Sequence, residues 1–108
     1  MRNGQTSGTK TFLAAKLKFN ESTGPQDDKA GFALLKKAAS MGCIRAHEWL
    51  GYVYDYGYGT RPNRRHAFKH YVTAAKAGNA NAEYHVGVFY HEGISARKND
   101  SLAVSWFR

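Results

Sequence analysis

The sequence repeats itself with a period of 36 residues. When the chain is shifted by this length, small and aromatic residues fall on residues of the same kind, such as Gly51 on Gly87 and Tyr54 on Tyr90. The other matching pairs are Phe32 with Phe68, Ala38 with Ala74, Ala39 with Ala75, Gly42 with Gly78, Ala46 with Ala82, Gly57 with Gly93, and Ala67 with Ala103. These residue types decide how closely two helices approach, so the period predicts an array of similar helical units.

The segment 51–60, GYVYDYGYGT, places a tyrosine at every second residue, which is the period of a half-buried β-strand. The repeat argues against a strand, because the matching segment 87–96, GVFYHEGISA, has no such alternation. Both segments instead continue stripes at helical spacing, formed by Ala46, Leu50, Val53 and Tyr54 and by Ala82, Val86, Phe89 and Tyr90. We therefore expect Tyr54 in the core. The remaining tyrosines of the segment are expected elsewhere around the helix or in the following loop: Tyr52, Tyr56 and Tyr58.

Polar residues and glycines mark the helix ends at the same period. Asp27, Asn63 and Asn99 each stand at the start of a helical pattern, where a side-chain oxygen can accept a hydrogen bond from an unpaired backbone N–H. Glycines that could end a helix in a left-handed conformation follow the apolar runs: Gly42, Gly57, Gly78 and Gly93. The predicted helices cover about 10–20, 28–41, 44–57, 64–77 and 80–92, and a last one starts near 100.

Gly51 and Gly87 fall in the middle of predicted helices, where a glycine costs about 1 kcal/mol relative to alanine. A glycine at the same place in both units indicates that a neighbouring helix approaches closely there. The alanine pairs at 38–39 and 74–75 agree with the same interpretation.

The repeated residues resemble the Sel1-like repeat, a relative of the tetratricopeptide repeat. That family's pattern is roughly A-x-x-W/Y-x-x-K-A-A-x-x-G-x-x-x-A-x-x-x-L-G-x-x-Y-x-x-G-x-G-V-x-x-D. One unit matches it at Ala67, Tyr71, Ala74, Ala75, Gly78, Ala82, Gly87, Tyr90 and Gly93, followed by Asp100, and the preceding unit at Ala38, Ala39, Gly42, Ala46, Leu50, Gly51, Tyr54, Gly57 and Gly59. Departures from the pattern fall in the loops, at Thr60, Arg64, Ser95 and Ala96.

The resemblance covers about residues 28–108 and extends more weakly over 11–27. It implies an all-α fold, a right-handed α/α solenoid of helix-turn-helix repeats. We expect a polar N-terminal segment 1–10 and a repeat domain 11–108, divided into a partial repeat 11–26, repeats 27–62 and 63–98, and a partial repeat 99–108. Such proteins usually act as scaffolds that bind other proteins on a curved surface, and the resemblance implies no catalytic residues.

The charge of the chain suggests an acidic partner. Its 16 Lys and Arg against 8 Asp and Glu give a net charge of +8, and the densest basic stretch is 61–70, RPNRRHAFKH. We predict a surface for an acidic peptide made of Arg61, Arg65, Lys69, Lys76, Lys36 and Lys37, with Tyr52 and Tyr56 adding flat amphipathic area. A solvated basic face without a partner and a nucleic-acid-binding surface are the alternatives.

Other patterns with chemical meaning are incomplete. His66 and His70 have the spacing of two metal ligands on a helix, but no carboxylate or cysteine nearby completes a site. Cys43 has no recognisable base or oxyanion site, which favours a structural thiol. With no glycine-rich phosphate loop and no carboxylate pair, the sequence predicts no enzyme, cofactor or metal site.

The last predicted helix brings Trp106 and Phe107 to the end of the solenoid, with no following helix to cover them. We expect either a longer array or burial of these two residues by another chain, including a second copy. The single cysteine and the lack of an apolar run in the first ten residues favour a cytoplasmic protein. The predicted function is a protein-interaction scaffold, with a nucleic-acid-binding solenoid or an accessory segment of a larger protein as alternatives.

Overall fold

The computed structural model describes residues 3–94 and 97–107, and within these residues every regular element is an α-helix. The helices are α1 (Asn3–Asn20), α2 (Pro25–Ser40), α3 (Ile44–Tyr56), α4 (Arg64–Lys76), α5 (Ala80–Glu92) and α6 (Asp100–Phe107). Each predicted helix is present, but α1 begins well before residue 10 and includes most of the predicted polar segment. Ser95 and Ala96, two departures from the family pattern, lie outside the described residues.

The helices form an α-solenoid of two layers. Each helix makes its main backbone contacts with the next helix along the chain. Aromatic contacts join α1 to α3 through Phe19 and Trp49, and α3 to α5 through Tyr52 and His85. Helices α1, α3 and α5 therefore form one layer, called here the odd layer, and α2, α4 and α6 form the even layer.

The core consists of two clusters, one formed by α1, α2 and α3 and the other by α4 and α5. The first includes Phe12, Ala15, Leu35, Ala38, Ala46, Leu50 and Val53. The second includes Ala67, Tyr71, Ala74, Ala82, Val86 and Phe89. Tyr54 is partly buried and touches both clusters, so the helical stripe predicted from the repeat does face the interior.

One contact recurs between successive pairs of helices. The ring of Tyr71 in α4 lies over Gly51 in α3, and the ring of Phe107 in α6 lies over Gly87 in α5. A Cβ atom on either glycine would be closer to the ring carbons than real Cβ atoms come to their neighbours. This is the close approach predicted from the mid-helix glycines. In the first helix pair, Ala15 and Leu35 hold the equivalent positions, and both are fully buried.

The predicted caps of the later helices are confirmed. Asn63 accepts a hydrogen bond from His66 N at 3.1 Å, and Asn99 accepts one from Leu102 N at 3.0 Å. Gly57 and Gly93 end α3 and α5 in the left-handed conformation, with φ of 82° and 70°. Gly42 and Gly78 also have positive φ.

The prediction that Asp27 caps its helix is wrong. Helix α2 starts earlier, with Gly24 as the cap residue and Pro25 in the first turn, because proline already has the helical φ and has no N–H to satisfy. Asp27 instead accepts a hydrogen bond from Thr23 N at 3.0 Å, which lowers the pKa of its carboxyl. A cap that the sequence analysis did not identify is Asn79, which accepts a hydrogen bond from Ala82 N at 2.8 Å at the start of α5.

The contact of Gly51 with Tyr71 gives a stability prediction. We expect Gly51→Ala to lower the free energy of unfolding by up to about 2 kcal/mol, because the buried ring cannot move away from the added methyl group and overpacking of this kind costs about 1–3 kcal/mol. The net loss allows for the gain of about 1 kcal/mol that alanine brings to a helix interior. Urea unfolding measures the difference. Gly24→Ala is the matched control, since nothing lies within 4 Å of its Cβ, and a stable Gly51→Ala variant would contradict this view of the helix contact.

Candidate protein-binding surface

Two hollows open on the odd layer. The first hollow lies between α1 and α3, has a volume of about 180 Å³ and is lined by Phe19, Trp49, Tyr52, Val53 and Tyr58. The second hollow lies between α3 and α5, has a volume of about 240 Å³, and its lining includes Asp55, Arg64, His85, Val88, Phe89 and Ile94.

The two hollows are the same feature of two successive repeats. Moving the five lining residues of the first hollow by 36 positions gives five lining residues of the second. The pairs are Phe19 with Asp55, Trp49 with His85, Tyr52 with Val88, Val53 with Phe89, and Tyr58 with Ile94. The backbone thus places one hollow in each gap of the odd layer, and the side chains decide what each hollow accepts.

The first hollow is apolar and aromatic. Trp49 is fixed from two sides by rings of α1, with centroid distances of 5.6 Å to Phe12 and 6.1 Å to Phe19. Tyr58 stands at the rim and is 50% exposed. Rigid aromatic walls with an exposed tyrosine at the edge suit an apolar side chain of a partner, because little conformational entropy is lost on binding.

The second hollow is polar on one side. The carboxylate of Asp55 lies 3.2 Å from Arg64 Nε and accepts a hydrogen bond from the hydroxyl of Tyr71 at 3.5 Å. Burial and the nearby Asp55 raise the pKa of Tyr71, so its hydroxyl remains a donor. His85 stacks on Tyr71 with a centroid distance of 4.6 Å, and burial lowers the pKa of its imidazole. This hollow therefore offers a neutral ring and an ion pair rather than a purely apolar wall.

A buried carboxylate holds one wall of the first hollow. Glu48, only 7% exposed, accepts hydrogen bonds from Asn79 Nδ2 at 2.8 Å, Asn81 Nδ2 at 3.1 Å and the hydroxyl of Tyr52 at 3.3 Å. Burial and the nearby Glu48 raise the pKa of Tyr52 to about 12. Sequence analysis missed Glu48, although a signal existed: it is a charge at a position where the other repeats carry the aromatic residues Phe12 and Tyr84.

The residues predicted to bind an acidic peptide are distributed over both layers. On the even layer, α2 carries the exposed Lys36 and Lys37, and α4 carries the exposed Arg65, Lys69 and Lys76. Arg61 lies in the loop between α3 and α4, where it lines a hollow of about 500 Å³ together with Lys29 of α2. Tyr52 and Tyr56 are on α3 in the odd layer, and Tyr56 is 59% exposed. The structure therefore divides the predicted set into a basic even face and an aromatic odd face.

His70, which has the spacing of a metal-ligand pair with His66 along α4, contacts a histidine of the neighbouring helix α3. Its Nδ1 lies 3.0 Å from Nδ1 of His47 in α3, and its ring stacks on Tyr54 at a centroid distance of 5.6 Å. Burial is the main cause that lowers the pKa of His70 to about 4, with further contributions from His47, His66 and Lys69. A hydrogen bond between two imidazoles requires one ring to donate and the other to accept, so at least one of the two rings must be neutral. Nowhere in 3–94 or 97–107 do three or more His, Cys, Asp or Glu side chains come together as a metal site would require.

The two aromatic residues at the end of the last helix have different surroundings. Trp106 is partly buried against the second core cluster, whereas Phe107 is 46% exposed although its ring lies on Gly87. None of the helices in the described part of the chain is long and apolar enough to cross a membrane.

Comparison with known families identifies the repeat. A family model described as the Sel1 repeat matches residues 12–43, 44–79 and 80–108. The second and third matched units begin at the first residues of α3 and α5, 36 residues apart. The period is therefore the one found in the sequence, but these units begin with an odd-layer helix, whereas the repeats defined from the sequence begin with an even-layer helix.

Two curated proteins and two solved structures resemble the chain. Protein sel-1 homolog 2 of Homo sapiens is 31% identical over 85 residues, which are 79% of this chain and 12% of that protein. DAP3-binding cell death enhancer 1 of Mus musculus is 29% identical over 86 residues, 78% of this chain and 16% of that protein. The chain thus spans less than a fifth of either relative.

The structural neighbours agree with the fold. The Sel1 repeat protein from Oxalobacter formigenes superimposes with a TM-score of 0.84 at 23% identity, covering 92% of this chain and 40% of that one. A protective antigen of uropathogenic Escherichia coli strains with an SLR fold superimposes with a TM-score of 0.87 at 27% identity, covering 94% of this chain and 22% of that one.

The contact between His47 and His70 predicts a dependence of stability on pH. The pKa of His70 is lower in the folded chain, about 4, than its ordinary value of 6.5, so the unfolded chain binds the proton first as pH falls. We expect the free energy of unfolding to decrease by about 1–2 kcal/mol between pH 7 and pH 4, a value reduced for the partial exposure of the ring.

The variant His70→Leu tests this assignment, because Leu34 holds the equivalent position in the preceding repeat. Urea unfolding at several pH values should show a smaller loss of stability on acidification for the variant than for the natural chain. Parallel pH profiles for the two proteins would show that His70 is not responsible.

Proposed function

The chain belongs to the Sel1 repeat family, and we propose that it is a protein-interaction scaffold whose odd layer binds a segment of a partner protein across the two hollows. Sel1 repeat proteins generally mediate protein–protein interaction, and their fold is typically non-catalytic. The observation that carries the proposal is the recurrence of one hollow at the period of the repeat.

Two equivalent hollows suit a single extended segment better than two separate ligands. A segment laid across α1, α3 and α5 meets the same backbone geometry in each gap, so it can place one side chain in each hollow. The first hollow accepts an apolar side chain between Trp49 and Tyr58. The second accepts a group that can lie against Phe89 and form hydrogen bonds near Asp55 and Arg64. The order of these two groups gives the binding a direction.

The relatives support a protein as the class of partner. The mouse relative is by its name a DAP3-binding protein, and its similarity to this chain covers most of the repeat region. The even face, with Arg65 and Lys69 of α4, is a second candidate surface. Both side chains are exposed, and neither takes part in an ion pair within the described ranges. This face would suit an acidic protein or a nucleic acid.

The proposal predicts which exposed residues contribute to binding. We expect the double variant Tyr56→Ala, Tyr58→Ala to weaken partner binding by at least about tenfold, because these two rings stand at the rims of the hollows and supply apolar contact area. Tyr56 is 59% exposed and Tyr58 is 50% exposed, and neither belongs to the core, so we expect the double variant to keep the fold.

The measurement is affinity capture from lysate of the native host, with and without nuclease, followed by mass spectrometry and titration of the retained protein. The matched control is Arg65→Glu, Lys69→Glu, which changes the even face alone. Loss of the partner with the tyrosine variant and retention with the control supports binding on the odd layer. The reverse pattern places binding on the basic even face, and partners that disappear with nuclease would overturn the scaffold in favour of nucleic-acid binding.

A further inference from the structure

The two hollows of the odd layer differ in charge. The side chains that line the first hollow are uncharged. Beside it, Lys16 Nζ lies 5.8 Å from the centre of the Trp49 ring, so a cation of this chain already lies over that ring. The lining of the second hollow includes two carboxylates, Asp55 and Glu92, against the cation of Arg64. A positive group is therefore disfavoured at the first hollow and favoured at the second.

The carboxylates of the second hollow have room for a further cation. The side chain of Asp55 is 11% exposed, contacts Arg64 Nε at 3.2 Å and accepts a hydrogen bond from the hydroxyl of Tyr71 at 3.5 Å. An ionised carboxylate accepts about four hydrogen bonds, so Asp55 can accept more. Glu92 is exposed and forms no ion pair with the residues that the structure describes. Because burial lowers the pKa of His85, this ring does not cancel the negative charge at neutral pH.

Aromatic rings of the same hollow suit the long stem of a basic side chain. Tyr56, Tyr84 and Phe89 belong to its lining, and the two tyrosines are each 59% exposed. Lysine and arginine bury their methylene groups along apolar surface while the charged head stays with polar groups, and the head is attracted to the face of an aromatic ring. The second hollow thus combines a surface for the stem with carboxylates for the head.

Arg64 displays this chemistry within the chain itself. It is the first residue of α4, its side chain is 58% exposed, and it contacts Asp55 through Nε. An exposed ion pair of this kind is weak. The cation of a partner can therefore bind beside Arg64 or replace it.

The positive charge of the whole chain does not oppose a basic group at this place. Exposed charges are screened beyond about 8–10 Å at physiological ionic strength, so the nearest charges decide. Helices α3 and α5, which flank the hollow, carry one Lys or Arg and four carboxylates: Glu48, Asp55, Glu83 and Glu92. That one cation, Arg45, lies 5.0 Å from the centre of the Phe12 ring of α1 and is not part of the lining.

We propose that the second hollow binds a lysine or arginine side chain of the partner segment while the first hollow binds a large apolar side chain, an inference that rests on the function proposed above. The head of the basic side chain lies between Asp55 and Glu92, and its stem lies against Phe89. The partner is thus basic where it meets the odd layer, although the net charge of +8 had suggested an acidic one.

The repeat also sets the spacing of the two side chains in the partner. Packed helices lie about 8–10 Å apart, and the two hollows are one repeat apart. In an extended polyproline II segment, residues three positions apart lie on the same side and are separated by about 9 Å. The basic residue is therefore expected about three positions from the apolar one.

A selection of random peptides displayed on phage, with the full chain as the immobilised protein, tests this partner chemistry. The selected pool should be enriched in Lys or Arg about three positions from a large apolar residue. The same selection on the double variant Tyr56→Ala, Tyr58→Ala should not yield this pool, because the rims of both hollows are removed.

Three variants then locate the basic side chain, with a synthetic peptide of the selected consensus as the probe and fluorescence anisotropy as the measurement. Glu92→Lys should weaken binding at least about fivefold. Glu83→Lys is the matched control, since it makes the same change of net charge on the same helix outside the lining of the hollow. Arg64→Ala should strengthen binding about threefold, because it removes a competing cation from Asp55. Circular dichroism checks that each variant is folded.

A change in the peptide completes the test. Replacing its Lys or Arg by Gln should weaken binding to the natural chain at least about fivefold. The neutral peptide should then bind the natural chain and Glu92→Lys equally, because the interaction that the variant removes is already absent.

The outcomes separate this inference from the function on which it rests. A pool that needs the two tyrosines but is enriched in Asp or Glu, or in no charged residue, keeps the odd-layer site and overturns the basic side chain. Weaker binding after Arg64→Ala also overturns it, because Arg64 would then hold an acceptor group of the partner. A selection that yields no peptide, or a pool that the tyrosine variant retains, overturns the odd-layer site together with the basic side chain.

Discussion

The contact between a large side chain of one helix and an absent side chain of the preceding helix sets the geometry of this solenoid. Tyr71 occupies the space where Gly51 lacks a Cβ, and Phe107 does the same at Gly87. Each glycine costs the helix about 1 kcal/mol, and at Gly51 the complete burial of the Tyr71 ring offsets this cost. The same contact recurs in two successive helix pairs, α3 with α4 and α5 with α6, whereas Ala15 and Leu35 hold the equivalent positions in the first pair. A close contact that is repeated at the period of the sequence helps similar units to stack in the same way, and a hollow of the odd layer recurs at the same period.

The helices that make this contact could be predicted from the sequence. Helices α3, α4 and α5 were expected within about one residue of their observed ends, because caps such as Asn63 and Gly57 act through local backbone groups that a sequence pattern reveals. The start of α2 was wrong for an equally local reason. Asp27 stands 36 residues before the cap Asn63, but Pro25, two residues earlier, already favours the helical conformation. The helix therefore begins closer to the N-terminus, at Pro25.

The contents of the candidate surface were not predictable in the same way. Glu48 meets Asn79 and Asn81, and His47 meets His70, across separations of 23 to 33 residues that match no multiple of the period. No other repeat carries the same pairs, so a comparison of repeats gives no signal for them. The hollows show the same division. The period fixes where a hollow lies, since it depends on helix spacing, whereas the exchange of aromatic for polar lining residues changes only what the hollow accepts.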